Sequence, residues 1–219
     1  MNDKVIQNLY LMQIKVLLAL NPTMLFNKIN QLDWYRNMLH RWIDLHNFHF
    51  EKILEAGCAT GSLCNYLDDS GFSPTGIDAS SSMIKKAKAL NSNIDYQVAN
   101  ILDLPFDSEV FDAVISASLI NIVDNKQLAI NEMSRICKKG GIISILVPKQ
   151  GFTDENLESL SNSLEISHFS KASLKTWHRL APKMKIQEIQ NLLSNAGLET
   201  KPPVYYLRNM VFSITAIKT

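Results

Sequence analysis

Apolar residues recur at every third or fourth position through residues 1–48, and this spacing predicts two helices. Pro22 separates them, because proline fits the first turn of a helix and disrupts the interior of one. Both apolar stripes are expected to face the core. The alternative is a lid over a binding site, with Trp34, Tyr35 and Arg36 pointing inward. The first stripe comprises Val5, Leu9, Met12, Val16 and Ala19, and the second comprises Leu25, Ile29, Leu32, Leu39 and Trp42.

From residue 52 onward, short β-rich runs alternate with helical windows, a pattern typical of βαβ units that predicts a mostly parallel sheet. The run at 142–147 is almost wholly apolar, as a central parallel strand covered on both faces should be. Ser80 is expected to cap the helix that follows it, and Gly140 with Gly141 to end a helix. Strands are predicted near 52–56, 74–78, 94–99, 111–116 and 142–147, in VYYL and in VFSITAI, and helices near 61–69, 80–90, 125–138 and 184–195.

Composition narrows the class of protein. Hydrophobic residues make up 46% of the 219 residues and charged residues 20%, as in a globular domain of ordinary size. The formal net charge of +1 predicts no strong attraction to nucleic acid or anionic membranes. No apolar run is long enough to span a membrane. Cys58, Cys64 and Cys137 are an odd number without metal-site spacing, which favours a reducing cytoplasm over a disulfide framework or zinc.

The stretch ILEAGCATGSL, residues 53–63, predicts a strand that passes through a glycine turn into a helix. Such turns bind ligands in open α/β sheets, because the backbone can approach closely and the helix amides are free. Gly57, Ala59 and Gly61 therefore form a candidate binding loop, with a plain structural turn as the alternative. Their spacing disfavours the dinucleotide fingerprint G-x-G-x-x-G, and no Gly-Lys-Ser/Thr follows to make a phosphate-binding P-loop.

Two carboxylates refine the expected ligand. Glu55 at the mouth of the loop would repel a diphosphate but suits a ligand with ammonium and sulfonium charges, which describes S-adenosylmethionine. Asp78 closes the second predicted strand, from which a carboxylate can accept hydrogen bonds from both ribose hydroxyls. The alternative role for Asp78 is to cap the next helix.

Four motifs in order resemble those of class I S-adenosylmethionine-dependent methyltransferases, in the small-molecule branch similar to the ubiquinone/menaquinone-biosynthesis C-methyltransferases. They are ILEAGCATG, GIDASSSMIKKAK, ILDLPFDSEVFDAVISASLINIVD and AINEMSRICKKGGIISILVP. The resemblance covers residues 50–148 and, more loosely, 185–199. It implies a Rossmann-like, seven-stranded, mostly parallel sheet with helices on both faces and an antiparallel last strand. It also implies S-adenosylmethionine as cofactor.

The resemblance implies a cofactor site at the ends of several strands. Ala59 stands where glycine is frequent, and Asn100 stands where aspartate is usual, although its amide oxygen can still accept a hydrogen bond from adenine. The residues expected at the methionine portion are Glu55, Gly57, Ala59, Gly61 and Ser116. The residues expected at the ribose and adenine are Asp78, Ala79, Met83, Asn100 and Ile101.

Methyl transfer by in-line displacement needs no obligatory catalytic acid or base, since positioning and water exclusion supply much of the rate. If a general base assists, His168 and His178 are the candidates. No metal site is expected, because His40, His46 and His49 lack a recognised ligand spacing.

Residues 1–48 are expected to form a helical segment that covers the site, and residues 49–219 the S-adenosylmethionine-binding domain. The insertion at 149–182 is the expected substrate-covering region. A small organic acceptor is favoured over nucleic acid, whose amino-methylating enzymes carry an Asn/Asp-Pro-Pro-Tyr/Phe signature that this chain lacks. A non-catalytic S-adenosylmethionine-binding regulatory or partner-binding protein is the alternative. A nicotinamide-dependent oxidoreductase is disfavoured by the glycine spacing.

Overall fold

The N-terminal part of the computed structural model is helical. The structure describes residues 3–20, 22–46 and 51–219. The first helices are α1 (Asp3–Leu20), α2 (Pro22–Asn30) and α3 (Asp33–Asp44). The predicted helix start at Pro22 is confirmed. The second predicted helix is two helices instead, because Leu32 adopts an extended conformation (φ −74°, ψ 130°) just before α3 begins.

The predicted core-facing stripe of α1 is wrong. Leu9, Met12 and Val16 are largely exposed, by 55%, 66% and 45%. The buried face is centred on Ile14 (1% exposed), because α1 packs against α8 (His168–Leu180). Apolar residues occupy more than one face of α1, so periodicity alone could not identify the packed face. The second stripe is confirmed at Leu25, Ile29, Leu39 and Trp42, which are all buried.

A single sheet organises the rest of the described chain, in the order β3-β2-β1-β4-β5-β8-β6, with β7 also paired to β8. The first five strands are parallel to their neighbours, and β8 is antiparallel to β5, as predicted. The strands are β1 (Lys52–Ala56), β2 (Ser73–Asp78), β3 (Asp95–Val98), β4 (Phe111–Ala117), β5 (Cys137–Pro148), β6 (Leu198–Thr200), β7 (Val204–Tyr206) and β8 (Val211–Lys218).

The sheet has eight strands rather than the predicted seven. The additional strand is β6, which has three residues and was too short to show a pattern in the sequence. It pairs with the end of β8, whereas β7, the predicted VYYL strand, pairs with the start of β8. Because β5 occupies the other edge of β8, β6 and β7 share one position in the sheet.

Helices cover both faces of the sheet, as predicted. The remaining helices are α4 (Ser62–Asp69), α5 (Ser81–Leu90), α6 (Lys126–Ile136), α7 (Asp154–Ser163) and α9 (Ile186–Asn195). Neighbouring residues of one strand belong to different apolar clusters: Ile53 packs in the cluster with the N-terminal helices, and Leu54 in the cluster with α6 and α9. No described helix is both long and apolar enough to cross a bilayer.

Two predicted helix boundaries can be compared directly with the structure. Ser80 caps α5 as expected, since its side chain accepts a hydrogen bond from the Met83 amide. Gly140 and Gly141 do not end a helix; they lie within β5, where the register against β4 shifts. A side chain at Gly141 would come within 2.6 Å of the Asp112 carbonyl oxygen, so this close strand approach requires glycine.

Trp42 packs the N-terminal helices against the sheet. Its side chain is 0% exposed, and its indole N–H donates to Ser144 Oγ of β5 at 3.0 Å. We predict that Trp42→Phe lowers the free energy of unfolding by about 1–3 kcal/mol, because it removes buried contacts and leaves Ser144 with one partner fewer. Urea unfolding would measure this, with the half-exposed Leu45→Ala on the same segment as control. Equal stability of the two variants would contradict this docking.

Candidate functional site

A cavity of about 370 Å³ lies where β1, β2 and β4 end. Its volume is within the range of about 300–1,000 Å³ that is typical of small-molecule sites. Carboxyl ends of parallel strands are where open α/β sheets bind ligands. The N-terminal helices contribute Ile14, Leu25, Ile29, Asn30 and Tyr35 to its lining.

The loop between β1 and α4 is held to β2 in a conformation that suits glycine. The amides of Gly57 and Cys58 both donate to the Ile77 carbonyl, at 2.8 and 2.9 Å. Gly57 and Gly61 both have φ of +79°, a region that side chains disfavour. At Gly61 there is also no space, because a side chain would collide with the Tyr96 hydroxyl. The loop therefore has no side chain at Gly57 or Gly61, and its backbone is held in one conformation.

Ala59 is the unusual member of this loop. Its φ of +48° lies in the left-handed region, which costs a residue with a side chain about 1–2 kcal/mol. Asp78, at the end of the next strand, stabilises this conformation, because its Oδ2 accepts a hydrogen bond from the Ala59 amide at 3.0 Å. The loop thus stores strain beside the cavity that Ala59 lines.

Asp78 joins the loop to the following helix. Its second oxygen, Oδ1, accepts a hydrogen bond from the Ser80 amide at 2.8 Å. Ser80 is the residue that caps α5, so the capping role considered for Asp78 does not apply. A carboxylate has about four acceptor positions, and the two amides use two of them. Asp78 lines the cavity and can therefore accept two further hydrogen bonds there.

Glu55 lies behind the loop rather than at its mouth. It is 4% exposed and does not line the cavity, and Cys64 Sγ donates to its Oε2 at 3.0 Å. Burial raises the pKa of Glu55 to about 7; the hydrogen bonding with Cys64 opposes this shift and the nearby Asp78 charge adds to it. The carboxyl group therefore changes charge near neutral pH, next to the binding loop.

The structure brings some of the predicted site residues to the cavity and not others. Those that line it are Gly57, Ala59, Asp78 and Met83. Those that do not are Glu55, Gly61, Ala79, Asn100, Ile101 and Ser116. Ala79 and Asn100 are exposed at the ends of β2 and β3, and the Asn100 Oδ1 accepts a hydrogen bond from the Leu102 amide at 3.0 Å.

The lid alternative placed Trp34, Tyr35 and Arg36 inward, and of these Tyr35 lines the cavity. Burial, and then the charge of Glu55, raise the pKa of Tyr35 to about 12, so its hydroxyl remains a hydrogen-bond donor at neutral pH. Trp34 is buried and meets the Tyr35 ring edge-on at 5.5 Å. Arg36 is exposed and pairs with Asp33 at 3.0 Å, so it does not point inward.

Several lining residues were missed in the sequence. Asn121 follows β4, and α8 contributes Ser173, Thr176, Trp177 and Leu180. The α8 residues are spaced i, i+3, i+4 and i+7, which places them on one helix face. This spacing was visible, but the mixture of hydroxyl and apolar side chains did not mark the face as buried.

The histidines considered as general bases lie away from the cavity. His168 is exposed at the start of α8. His178 is 5% exposed, meets Phe152 edge-on at 5.5 Å and does not line the cavity. Burial, followed by the charge of Lys183, lowers the pKa of His178. Neither imidazole is placed to take a proton from a molecule in the cavity.

The other histidines have separate environments. His40 stacks on Tyr66 with ring centroids 3.6 Å apart, and His46 Nε2 lies 2.8 Å from Ser144 Oγ. His49 lies outside the described residues. Within the described ranges, no three His, Cys, Asp or Glu side chains are grouped as a metal site would require.

Comparison with known proteins identifies relatives of the central segment. Residues 54–145 match the family described as methyltransferase domain. The chain is 32% identical over 95 residues to malonyl-(acyl-carrier protein) O-methyltransferase of Enterobacter lignolyticus, covering 43% of this chain and 38% of that protein. It is 30% identical over 121 residues to the ubiquinone/menaquinone biosynthesis C-methyltransferase of Campylobacter jejuni, covering 52% and 51%. The chain thus spans about half or less of the length of these relatives.

The fold also resembles that of solved structures. One is a SAM-dependent methyltransferase of Thermotoga maritima, described as a possible histamine N-methyltransferase. It superposes with a TM-score of 0.63 and 18% identity, covering 87% of this chain and 92% of that one. At this identity the likeness supports the fold.

The raised pKa of Glu55 predicts a pH-dependent stability. Its folded value of about 7 exceeds the ordinary value of 4.5, so the neutral carboxyl stabilises the fold fully below about pH 4.5. That contribution is lost as pH rises through 7. The free energy of unfolding of the wild type should therefore fall by about 3 kcal/mol relative to that of Glu55→Gln as pH rises from 4.5 to 8. Urea unfolding at several pH values would measure this. Glu188→Gln, at an exposed position of α9, is the surface control. A pH-independent difference between Glu55→Gln and wild type would contradict the assignment.

Proposed function

We propose that this chain transfers a methyl group from S-adenosylmethionine to a small organic acceptor, because residues 54–145 match the methyltransferase domain family. The observation that carries the proposal is the Asp78 carboxylate, which holds the bare glycine loop and keeps two acceptor positions at the cavity. A non-catalytic binding protein is not favoured, since the curated relatives are named as methyltransferases.

The residues at the cavity suit the parts of S-adenosylmethionine. Asp78 has the free acceptor positions that two ribose hydroxyls require. Gly57 leaves a surface without a side chain, where an added Cβ would lie 3.0 Å from Leu119. Met83 is 7% exposed at the start of α5 and offers an apolar contact for a ring. These features support cofactor binding over the loop.

The remaining predicted contacts stay proposals. We assign Ala79, Asn100 and Ile101 to the adenosine end, because they follow β2 and β3 at the same sheet edge as Asp78. Asn100 keeps its amide N–H groups and one lone pair free of the Leu102 contact. Ser116 remains the candidate near the methionine end. It is fully buried in β4, and its hydroxyl has no partner among the described residues.

Glu55 acts through its charge rather than by direct contact. When bound, S-adenosylmethionine supplies a methyl group on a positively charged sulfur. The ionised Glu55 carboxylate behind the loop favours a positive charge in the cavity, and burial strengthens that attraction because water does not screen it. Tyr35 keeps its proton and can donate a hydrogen bond in the same region.

The proposed function requires that water be kept out of the site. We propose that α1 to α3, together with the insertion that contains α7 and α8, cover the bound molecules. Ile14, Ile29 and Trp177 line the cavity and give it apolar walls. Holding two reactants in line in a dry site is the main requirement for a displacement at a methyl carbon, so a dedicated base is not needed.

The chain's charge and cysteines support the proposed acceptor class and cellular location. A net charge of +1 supports a small organic acceptor over nucleic acid. A cytoplasmic location is supported by Cys58, Cys64 and Cys137, which are all buried free thiols.

Cofactor binding tests this function. Calorimetric titration is expected to show binding of S-adenosylmethionine and of its demethylated product, S-adenosylhomocysteine. Asp78→Asn should weaken both by about 1–3 kcal/mol, because the ribose hydroxyls lose a charged acceptor while one oxygen remains for the loop. Asp69→Asn, exposed at the end of α4, is the matched control and should bind normally. Failure of the wild type to bind either compound would refute the proposed function.

A further inference from the structure

Four polar side chains that line the cavity have a buried oxygen with no hydrogen-bond partner among the described residues. These oxygens are Asn121 Oδ1, Ser173 Oγ, Thr176 Oγ1 and Ser118 Oγ. The first three residues are 5%, 1% and 8% exposed, and Ser118 is half-buried. Buried polar atoms are usually satisfied, because leaving them unpaired is costly. Four such atoms around one cavity indicate a ligand that supplies the missing partners.

Asn121 specifies which partner is missing. Its Nδ2 donates to the Pro182 carbonyl at 3.0 Å, just beyond the end of α8. Since a carbonyl can only accept, this contact fixes the orientation of the amide and leaves Oδ1 as an acceptor. The group opposite Asn121 must therefore bring an O–H or N–H.

The α8 face combines hydroxyl groups with apolar surface. Ser173 and Thr176 lie on the same face as Trp177 and Leu180. Leu180 and Ile122, which both line the cavity, are each 58% exposed, so large apolar side chains continue from the cavity to its edge. A ligand with an apolar body can cover this exposed surface.

Charge at the cavity disfavours an anionic acceptor. No Lys, Arg or His occurs among its described lining residues, and Asp78 is negatively charged. Two lysines on and just after α8 are engaged elsewhere: Lys175 pairs with Glu158 at 2.6 Å, and Lys183 donates to a carbonyl oxygen of α8 at 2.7 Å. A carboxylate or phosphate would lose its hydration without gaining a countercharge from a protein side chain.

We propose that the methyl acceptor is an uncharged molecule with an apolar body and a hydroxyl or amino group, whose donated hydrogen bond is accepted by Asn121 and whose position is set by Ser173 and Thr176. This inference rests on the proposed methyl transfer. It assigns acceptor selection to α8 and to the segment after β4, separately from the glycine loop and Asp78.

Four matched probes test the chemistry of the acceptor at pH 7.5. Protein saturated with S-adenosylhomocysteine is titrated with 4-pentylphenol, 4-pentylaniline, 4-pentylanisole and 4-pentylbenzoate. The phenol and the aniline should bind about threefold to tenfold tighter than the anisole, which lacks a donor, and at least about tenfold tighter than the anionic benzoate. Benzoate binding as tight as that of the phenol, no preference over the anisole, or no binding of any probe would overturn the proposal.

Titrating each cofactor form first distinguishes a failure of the proposed methyl transfer from a failure of the acceptor assignment. If the wild type binds neither S-adenosylmethionine nor S-adenosylhomocysteine, methyl transfer itself is refuted, and this inference with it. If it binds while the probes give an overturning result, the acceptor assignment alone is refuted. Asn121→Leu should reduce the phenol-to-anisole affinity ratio to about one, because the acceptor oxygen is removed.

Stability measurements distinguish recognition from a structural role. Ser173→Ala and Thr176→Val should weaken phenol binding by about twofold to tenfold, yet leave the midpoint of thermal unfolding unchanged or raised, because each removes an unpaired buried hydroxyl. Ser161→Ala is the matched control: its hydroxyl is also buried and unpartnered within the described chain, but it does not line the cavity. Wild-type phenol affinity in folded Thr176→Val and Ser173→Ala would contradict the assignment.

Discussion

The site depends on one carboxylate that bridges two backbone amides. Asp78 accepts hydrogen bonds from Ala59 in the β1–α4 loop and from Ser80 at the start of α5. These contacts hold Ala59 in a left-handed conformation that would otherwise be unfavourable. Strands β1 and β2 are parallel neighbours, so their ends bring the loop and the carboxylate together. The sheet topology therefore produces a bare, fixed loop with a charged acceptor beside it.

The covering helices give this edge its second property, a partly apolar enclosure. Packing of α1 against α8 and of Trp42 against β5 places the N-terminal helices over the sheet, and the loop after β4 is tied to the end of α8 through Asn121. In the proposed function, different elements therefore supply the cofactor contacts and the acceptor contacts. The strands and the glycine loop are proposed to bind the cofactor, and α8 with the segment after β4 is proposed to bind the acceptor.

Local chemistry made much of this predictable. The parallel strands, the glycine loop and Asp78 could be identified because each depends on residues close in sequence: an apolar run, a turn that requires glycine, and an acid at a strand end. Strand β6 could not be predicted, since three residues are too few to show an alternation of apolar and polar positions. The packed face of α1 and the role of Asn121 depend on contacts with distant elements, which leave no local pattern. Burial placed Glu55 behind the loop, whereas the sequence suggested its mouth.

A crystal structure with S-adenosylhomocysteine is the most direct test of the account. It should place both ribose hydroxyls within hydrogen-bond distance of the Asp78 carboxylate, and the sulfur in the cavity between the glycine loop and α8. The contacts from Asp78 to Ala59 and Ser80 should persist in that complex. A ribose bound away from Asp78, or a nucleoside bound outside the cavity at the ends of β1, β2 and β4, would contradict the central claim.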